Sequence, residues 1–135
     1  MGEIRVTVTL TNAIDESLNR RRKLKKSAVR RYRAEALVDT GAMRSVIPVQ
    51  VMEKLGVLAR GNRVAENSDG RREPVAVTEP INFDILGRDT LEEALVLGDE
   101  VLIGQTVLEK LDLLADCANR RVIPNPAHPD RPVSK

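Results

Sequence analysis

The stretch Ala36-Leu37-Val38-Asp39-Thr40-Gly41-Ala42 decides how this chain is read. Three apolar residues run straight into an aspartate, and the run stops in a tight Asp-Thr-Gly turn. Apolar strand residues are stabilised by burial, whereas an ionised carboxylate resists it unless paired or hydrogen-bonded. A carboxylate placed at the end of a buried strand therefore has one of two uses. It caps backbone N–H groups of its own turn, as Asx residues commonly do, or it is held there for chemistry.

Working outward, Tyr32 to Val38 reads as the strand that carries the aspartate. Ile4, Val6, Val8 and Leu10 alternate with Arg5, Thr7, Thr9 and Thr11 as an earlier half-buried strand that Asn12 ends. Beyond the turn and Val46-Ile47, Pro48 suits a first helical position. Val51, Met52 and Leu55 then share a helix face, and Gly56 supplies the stop. Asp69-Gly70 is a two-residue hairpin signal, with Val64 before it and Val75 and Val77 after. Pro80 argues against a central strand at its own position. Ile81, Phe83 and Ile85 predict the next strand, Gly87-Arg88-Asp89 a turn, and Leu91 to Leu97 one further strand.

Val101-Leu102-Ile103 is wholly apolar, which suits a short strand buried on both faces, and Gly104 permits close backbone approach. Val107, Leu108, Leu111 and Leu114 follow helical spacing. Leu113-Leu114-Ala115 and Arg121-Val122-Ile123 predict a closing hairpin around Asp116 to Arg120. One domain over residues 1–124 is expected, followed by a flexible proline-containing tail over 125–135.

Composition narrows the chemistry. With 135 residues and 41% apolar content the chain can bury a core, but Tyr32 and Phe83 are its only aromatics, so that core must be aliphatic. Cys117 is alone, which excludes an internal disulfide and suits a reduced, cytoplasmic compartment. The opening residues lack a signal-type apolar region, and no apolar run reaches the length of a membrane span. The one histidine, His128, lies among the C-terminal prolines, so Ser-His and Cys-His nucleophilic arrangements lack a base. No His/Cys cluster signals zinc and no glycine-rich loop signals phosphate, so no cofactor and no metal are expected.

Charge is unevenly spread. Residues 20–33 carry nine cations and no acid, leaving 13 basic and 20 acidic residues, a net of −7, for the rest. The plain reading is a solvated basic loop between the first two strands. The functional one is a surface for nucleic-acid phosphates or for an acidic protein, and attraction to the acidic remainder of the chain is a third. Only Tyr32 interleaves with these cations, so a stacking platform for single strands is not expected.

The Asp39-Thr40-Gly41-Ala42 turn and the later Val101-Leu102-Ile103-Gly104-Gln105, taken in that order, resemble the retroviral-type (retropepsin-like) aspartic proteases, in particular small bacterial retroviral-like domains. The resemblance spans about residues 34–124. It implies a mainly β protomer, a closed acid-protease barrel with one or two short helices. It also implies an aspartic endopeptidase acting on peptide or protein substrate. In that chemistry two carboxylates share one proton, because adjacent like charges cannot both ionise. A single Asp-Thr-Gly supplies one of them, so a homodimer with Asp39 meeting its symmetry mate is implied.

In the resemblance Asp39 is the catalytic carboxylate and Thr40 reaches across the dimer. Gly41 and Ala42 complete the turn, and Leu102, Ile103 and Gly104 support it from below. The hairpin at Asn67-Ser68-Asp69-Gly70-Arg71 falls where the family places its flap, so Asp69, Gly70 and Arg71 are candidate substrate-covering residues. Where retroviral enzymes commonly carry an Asp and its partner Arg, this chain has Met43 and Gln105, so both charges of that pair are absent together. Arg44 is then a cation at the cleft. These departures leave a second reading open, a retropepsin-like dimeric module that binds peptides or scaffolds without cleaving them.

Overall fold

In the computed structural model, which describes residues 2–66 and 69–134, strand content dominates. β1 (Arg5–Asn12) passes directly into α1 (Ala13–Arg20). A 3-10 turn at Lys26–Ala28 leads to β2 (Arg31–Val38), β3 (Val46–Ile47) and α2 (Val49–Leu55). β4 (Ala59–Glu66) and β5 (Arg72–Thr78) form a long hairpin, followed by β6 (Ile81–Ile85), β7 (Arg88–Glu92) and β8 (Leu95–Val96). β9 (Leu102–Ile103), α3 (Gln105–Leu111) and the hairpin β10 (Leu113–Asp116) and β11 (Arg121–Pro124) complete the chain.

Nine strands make one curled sheet in the order β4-β5-β8-β3-β9-β2-β1-β6-β7, and β10 and β11 form a separate pair. The order ends at β4 and β7, so the expected closed barrel is corrected to a curled half-barrel. Its centre is the parallel pair of β2 and β9, Leu37 opposite Leu102 and Val38 opposite Ile103. β3 is wedged alongside, antiparallel to β9 and parallel to β8. The period-two pattern of β1 buries Val6, Val8 and Leu10. They pack with Ile47, Leu55, Phe83, Ile85, Ile103, Leu108 and Leu111 in a core with one aromatic, Phe83.

Several expectations need correction. Among the described residues there are three α-helices rather than one or two. α1 was not expected because its large apolar residues, Ile14 and Leu18, are exposed. It is fixed instead by Asn12, whose side chain accepts from the Asp15 N–H, and by Asp15, whose carboxylate takes two bonds from the Arg30 guanidinium at 2.8 and 3.0 Å. That pairing holds the Asp15 carboxyl below its usual range. The basic stretch therefore begins in the last turn of α1 and ends inside β2. Pro48 caps α2 rather than occupying its first turn. Leu91 to Leu97 is two strands, because the chain leaves β7 at Glu92 and crosses to β8. Leu114 belongs to β10, half-exposed, not to the α3 stripe.

The segment after β11, read as a flexible tail, makes specific contacts. Asp112, at φ 56° and ψ 46°, ends α3 in the left-handed region. Its carboxylate accepts from the Asn125 amide (2.9 Å) and the Val133 N–H (3.1 Å) and lies 2.6 Å from His128 Nδ1. The Asn125 bond chiefly, with the Val133 and His128 contacts, holds the Asp112 carboxyl below its usual range. Arg88, a buried cation at the start of β7, donates to the carbonyls of Leu111 (3.1 Å), Asp112 (2.9 Å) and His128 (2.8 Å). Among the described residues no helix is long and apolar enough to cross a membrane.

Candidate active site

Asp39 directly follows β2, so the β2–β9 pair fixes where its backbone lies. The Asp39 N–H donates to the Ile103 carbonyl at 2.9 Å, continuing the ladder one residue past the strand. Beyond it the chain turns sharply: the Ala42 N–H donates to the Asp39 carbonyl (3.2 Å), and the Gly41 N–H donates to Asp39 Oδ1 (3.0 Å). This is the Asx-type arrangement that the plain reading of the turn anticipated. It engages one carboxylate oxygen only. Among the described residues Oδ2 has no hydrogen-bond partner, and neither does the exposed Thr40 hydroxyl.

The far side of the turn is laced to the start of α3. Gln105 N–H donates to the Ala42 carbonyl (2.8 Å), and Thr106 donates to the Met43 carbonyl through both its N–H (3.1 Å) and its hydroxyl (2.7 Å). Gly104 N–H donates to the hydroxyl of Ser45, which is fully buried. The contact at Gly104 is so close that an added Cβ would sit 2.6 Å from the Arg44 carbonyl carbon and oxygen and 2.7 Å from the Met43 oxygen. These are backbone atoms, which cannot swing away. A Cβ on Gly41 would lie 3.3 Å from Asp39 Oδ1, so glycine also gives the carboxylate its room. Ile103 and Gly104 thus lie against the two ends of the turn that carries Asp39, Thr40, Gly41 and Ala42, while Leu102 pairs with Leu37 and Val46 beside it. Ser45 and Thr106 were missed by sequence reasoning, since isolated hydroxyls carry no periodic signal. The one clue was their position, Ser45 three residues past Ala42 and Thr106 directly after Gln105.

Arg44 turns towards the loop after β7. Its guanidinium lies 3.9 Å from Glu93, which also takes a 2.6 Å bond from Arg60 on the β4 side of the long hairpin. Arg44, Met43, Leu91, Glu92, Thr106 and Lys110 are among the residues that border a cleft of about 640 Å³; Asp39 is not. Met43 is 73% exposed there.

Towards the hairpin tip the register runs to Glu66 opposite Arg72. Asp69 pairs with Arg71 at 2.7 Å and accepts its N–H at 3.0 Å, and Gly70 takes φ 86°. All three are exposed. Asn67 and Ser68, read as part of the flap, lie outside the described residues. Among the described residues no three His, Cys, Asp or Glu side chains converge as metal ligands would.

No protein-family model matches this chain, and neither does any curated protein. Solved structures do. The retroviral protease-like domain of Ddi1 from Leishmania major superposes with a TM-score of 0.57 at 16% identity, over 93% of this chain and 90% of that one. The simian foamy virus protease gives 0.50 at 15% identity, over 77% and 90%. A foamy viral protease-reverse transcriptase gives 0.50 at 18% identity, over 78% of this chain and 11% of that one. The fold is retropepsin-like. None of these three bears on the bacterial part of the resemblance.

Proposed function

We propose that this retropepsin-like chain is an aspartic endopeptidase that works as a homodimer, with Asp39 of each copy forming the catalytic dyad. The observation that carries the reading is the half-finished state of the turn. Its backbone is fixed from β9 and α3, while one Asp39 oxygen and the Thr40 hydroxyl are left without partners among the described residues. A two-fold mate supplies partners for both. In the dyad the ionised carboxylate takes a proton from water as the water oxygen attacks the scissile carbonyl carbon. The protonated carboxyl gives its proton to the carbonyl oxygen. The tetrahedral intermediate then collapses, the C–N bond breaks, and the amine leaves with a proton returned through the dyad. Residues Asp69, Gly70 and Arg71 at the hairpin tip would cover the substrate, and Arg44 would border it.

The test combines mass and activity. Sedimentation should give twice the chain mass. An unstructured protein substrate should be cleaved in mild acid, cleavage should be blocked by a statine-type inhibitor, and Asp39→Asn should abolish it with the dimer kept. A strict monomer at micromolar concentration refutes the shared dyad. The second reading, a peptide-binding module without turnover, is favoured by Arg44 being drawn to Glu93 and by the tip being paired to itself. It expects a dimer that binds peptides and that Asp39→Asn leaves unchanged.

A further inference from the structure

We propose that the basic surface running from the end of α1 into the start of β2 binds double-stranded nucleic acid through its phosphodiester backbone. Of the nine cations in residues 20–33, two are engaged: Arg30 with Asp15 at 2.8 Å and Arg20 with Glu16 at 3.7 Å. Arg21, Arg22, Lys23, Lys25, Lys26, Arg31 and Arg33 are exposed and make no ion pair among the described residues. Attraction to the acidic remainder of the chain is therefore not what holds these seven.

The segment that presents them is ordered. Arg21 N–H donates to Ser17, Arg22 N–H to Asn19 and Lys23 N–H to Leu18, while the Asn19 amide donates to the Leu24 carbonyl. Arg22 turns the chain at φ 62°. Arg31 and Arg33 extend the surface along β2, two residues apart and so on one face of the strand, opposite Thr11 and Thr9 of β1. A helix C-terminus favours a cation or two in its last turn. It does not account for seven unpaired like charges over 13 residues, whose mutual repulsion a polyanion would relieve.

The chemistry of the surface selects the kind of polyanion. Single strands are held by stacking on aromatic faces. Tyr32 is the one aromatic here, and Lys54 Nζ sits 5.3 Å over its ring. What remains is a set of exposed cations that duplex phosphates would neutralise. From Arg31 to Asp39 is the length of β2, about 26 Å at ~3.3 Å per residue. The surface therefore lies at the opposite end of that strand from the proposed dyad and is independent of it.

The experiment is fluorescence anisotropy of the full chain with a labelled 20-base-pair duplex at 50 and 200 mM salt. Five phosphate contacts would give a log–log salt slope of about −4.5, so affinity should fall about 500-fold between the two concentrations. The triple variant Lys23→Glu, Lys25→Glu, Lys26→Glu should lose duplex binding at 50 mM salt while keeping its circular dichroism spectrum and any peptidase activity. Asp39→Asn should bind the duplex as the unaltered chain does, so failure of either proposal is separable from failure of the other. Three results overturn the inference: no duplex binding at 50 mM salt, tighter binding of a single-stranded oligonucleotide, or equal competition by poly-glutamate at matched charge, which would assign the surface to an acidic protein.

Discussion

Replacing Gly104 with alanine adds one methyl group where two backbone segments cross closely. The position has φ −89° and ψ 173°, which alanine adopts without strain, so the whole effect is steric. The new Cβ would sit 2.6 Å from the Arg44 carbonyl carbon and oxygen. Relief to an ordinary contact requires a shift of about 0.8 Å between two backbone segments. That shift acts on the Gly104–Ser45 bond at 2.9 Å, the Gln105–Ala42 bond at 2.8 Å and the Thr106–Met43 bond at 3.1 Å. Overpacking of this kind costs about 1–3 kcal/mol, and loss of one buried hydrogen bond adds about 1 kcal/mol. A total of about 3 kcal/mol follows, roughly 10 °C in melting temperature for a domain of this size. The assay is urea unfolding followed by circular dichroism, beside the peptidase assay. Activity should fall further than stability explains, because the same shift displaces the turn that holds Asp39. Gly61→Ala is the control, since a Cβ there meets nothing within 4 Å and should leave stability within about 0.5 kcal/mol. If Gly104→Ala matches that control in stability and keeps full activity, the close crossing is not what positions the site.

Arg88→Met keeps the buried length of the side chain but removes donors to three carbonyls, and should destabilise the fold by about 3–5 kcal/mol in urea titration. An effect below about 1 kcal/mol would mean that water replaces the guanidinium. The Asp15, Asp112 and Asp116 carboxyls are all held below their ordinary value, by Arg30, Asn125 and Asn119 bonds respectively. A depressed carboxyl contributes stability that is present above its unfolded value of 3.8 and lost as pH falls through its folded value. The urea midpoint should accordingly hold from pH 7 to about 5 and fall progressively below about 4. Asp15→Asn should flatten part of that fall, and an unchanged acid slope would refute the assignment.

The strands around Asp39 were legible because their apolar residues alternate or run unbroken, and the half-barrel follows once β2, β9 and β3 are placed together. α1 was hidden because it does not depend on an apolar stripe: Asn12 and Asp15 hold it, and the readable sign was the Asn12 cap with Asp15 and Glu16 in the first turn. β7 and β8 read as one strand because Leu91, Leu95 and Leu97 fall on alternate positions of one face, although the intervening Glu92-Glu93-Ala94 carries the chain to another part of the sheet. There the buried Thr78 hydroxyl accepts the Ala94 N–H at 3.0 Å. Arg88 read as a turn cation because its burial depends on carbonyls that lie 23 to 40 residues further along. Long-range polar bonds of that kind leave no periodic trace in a sequence.

The same distinction explains what the fold does around Asp39. Met43, Ala42, Ser45 and Asp39 are all bonded to residues between Ile103 and Thr106, so the aspartate turn is built by two segments some sixty residues apart. Backbone groups at such a crossing must find partners, because unpaired buried N–H and C=O groups cost as much as lost hydrogen bonds. Here Asp39, Ala42, Met43 and Ser45 find them on the segment from Ile103 to Thr106. The Asp39 carboxylate gives one oxygen to the Gly41 N–H, and among the described residues neither its other oxygen nor the Thr40 hydroxyl has a hydrogen-bond partner. A turn whose only purpose was to end a strand would gain by exchanging Asp39 for asparagine, which could cap the Gly41 N–H without a charge. Asp39→Asn therefore separates the two uses of this residue: equal or greater stability with loss of cleavage marks a carboxylate kept for chemistry. Equal or greater stability with no cleavage to lose marks a cap, which asparagine serves as well.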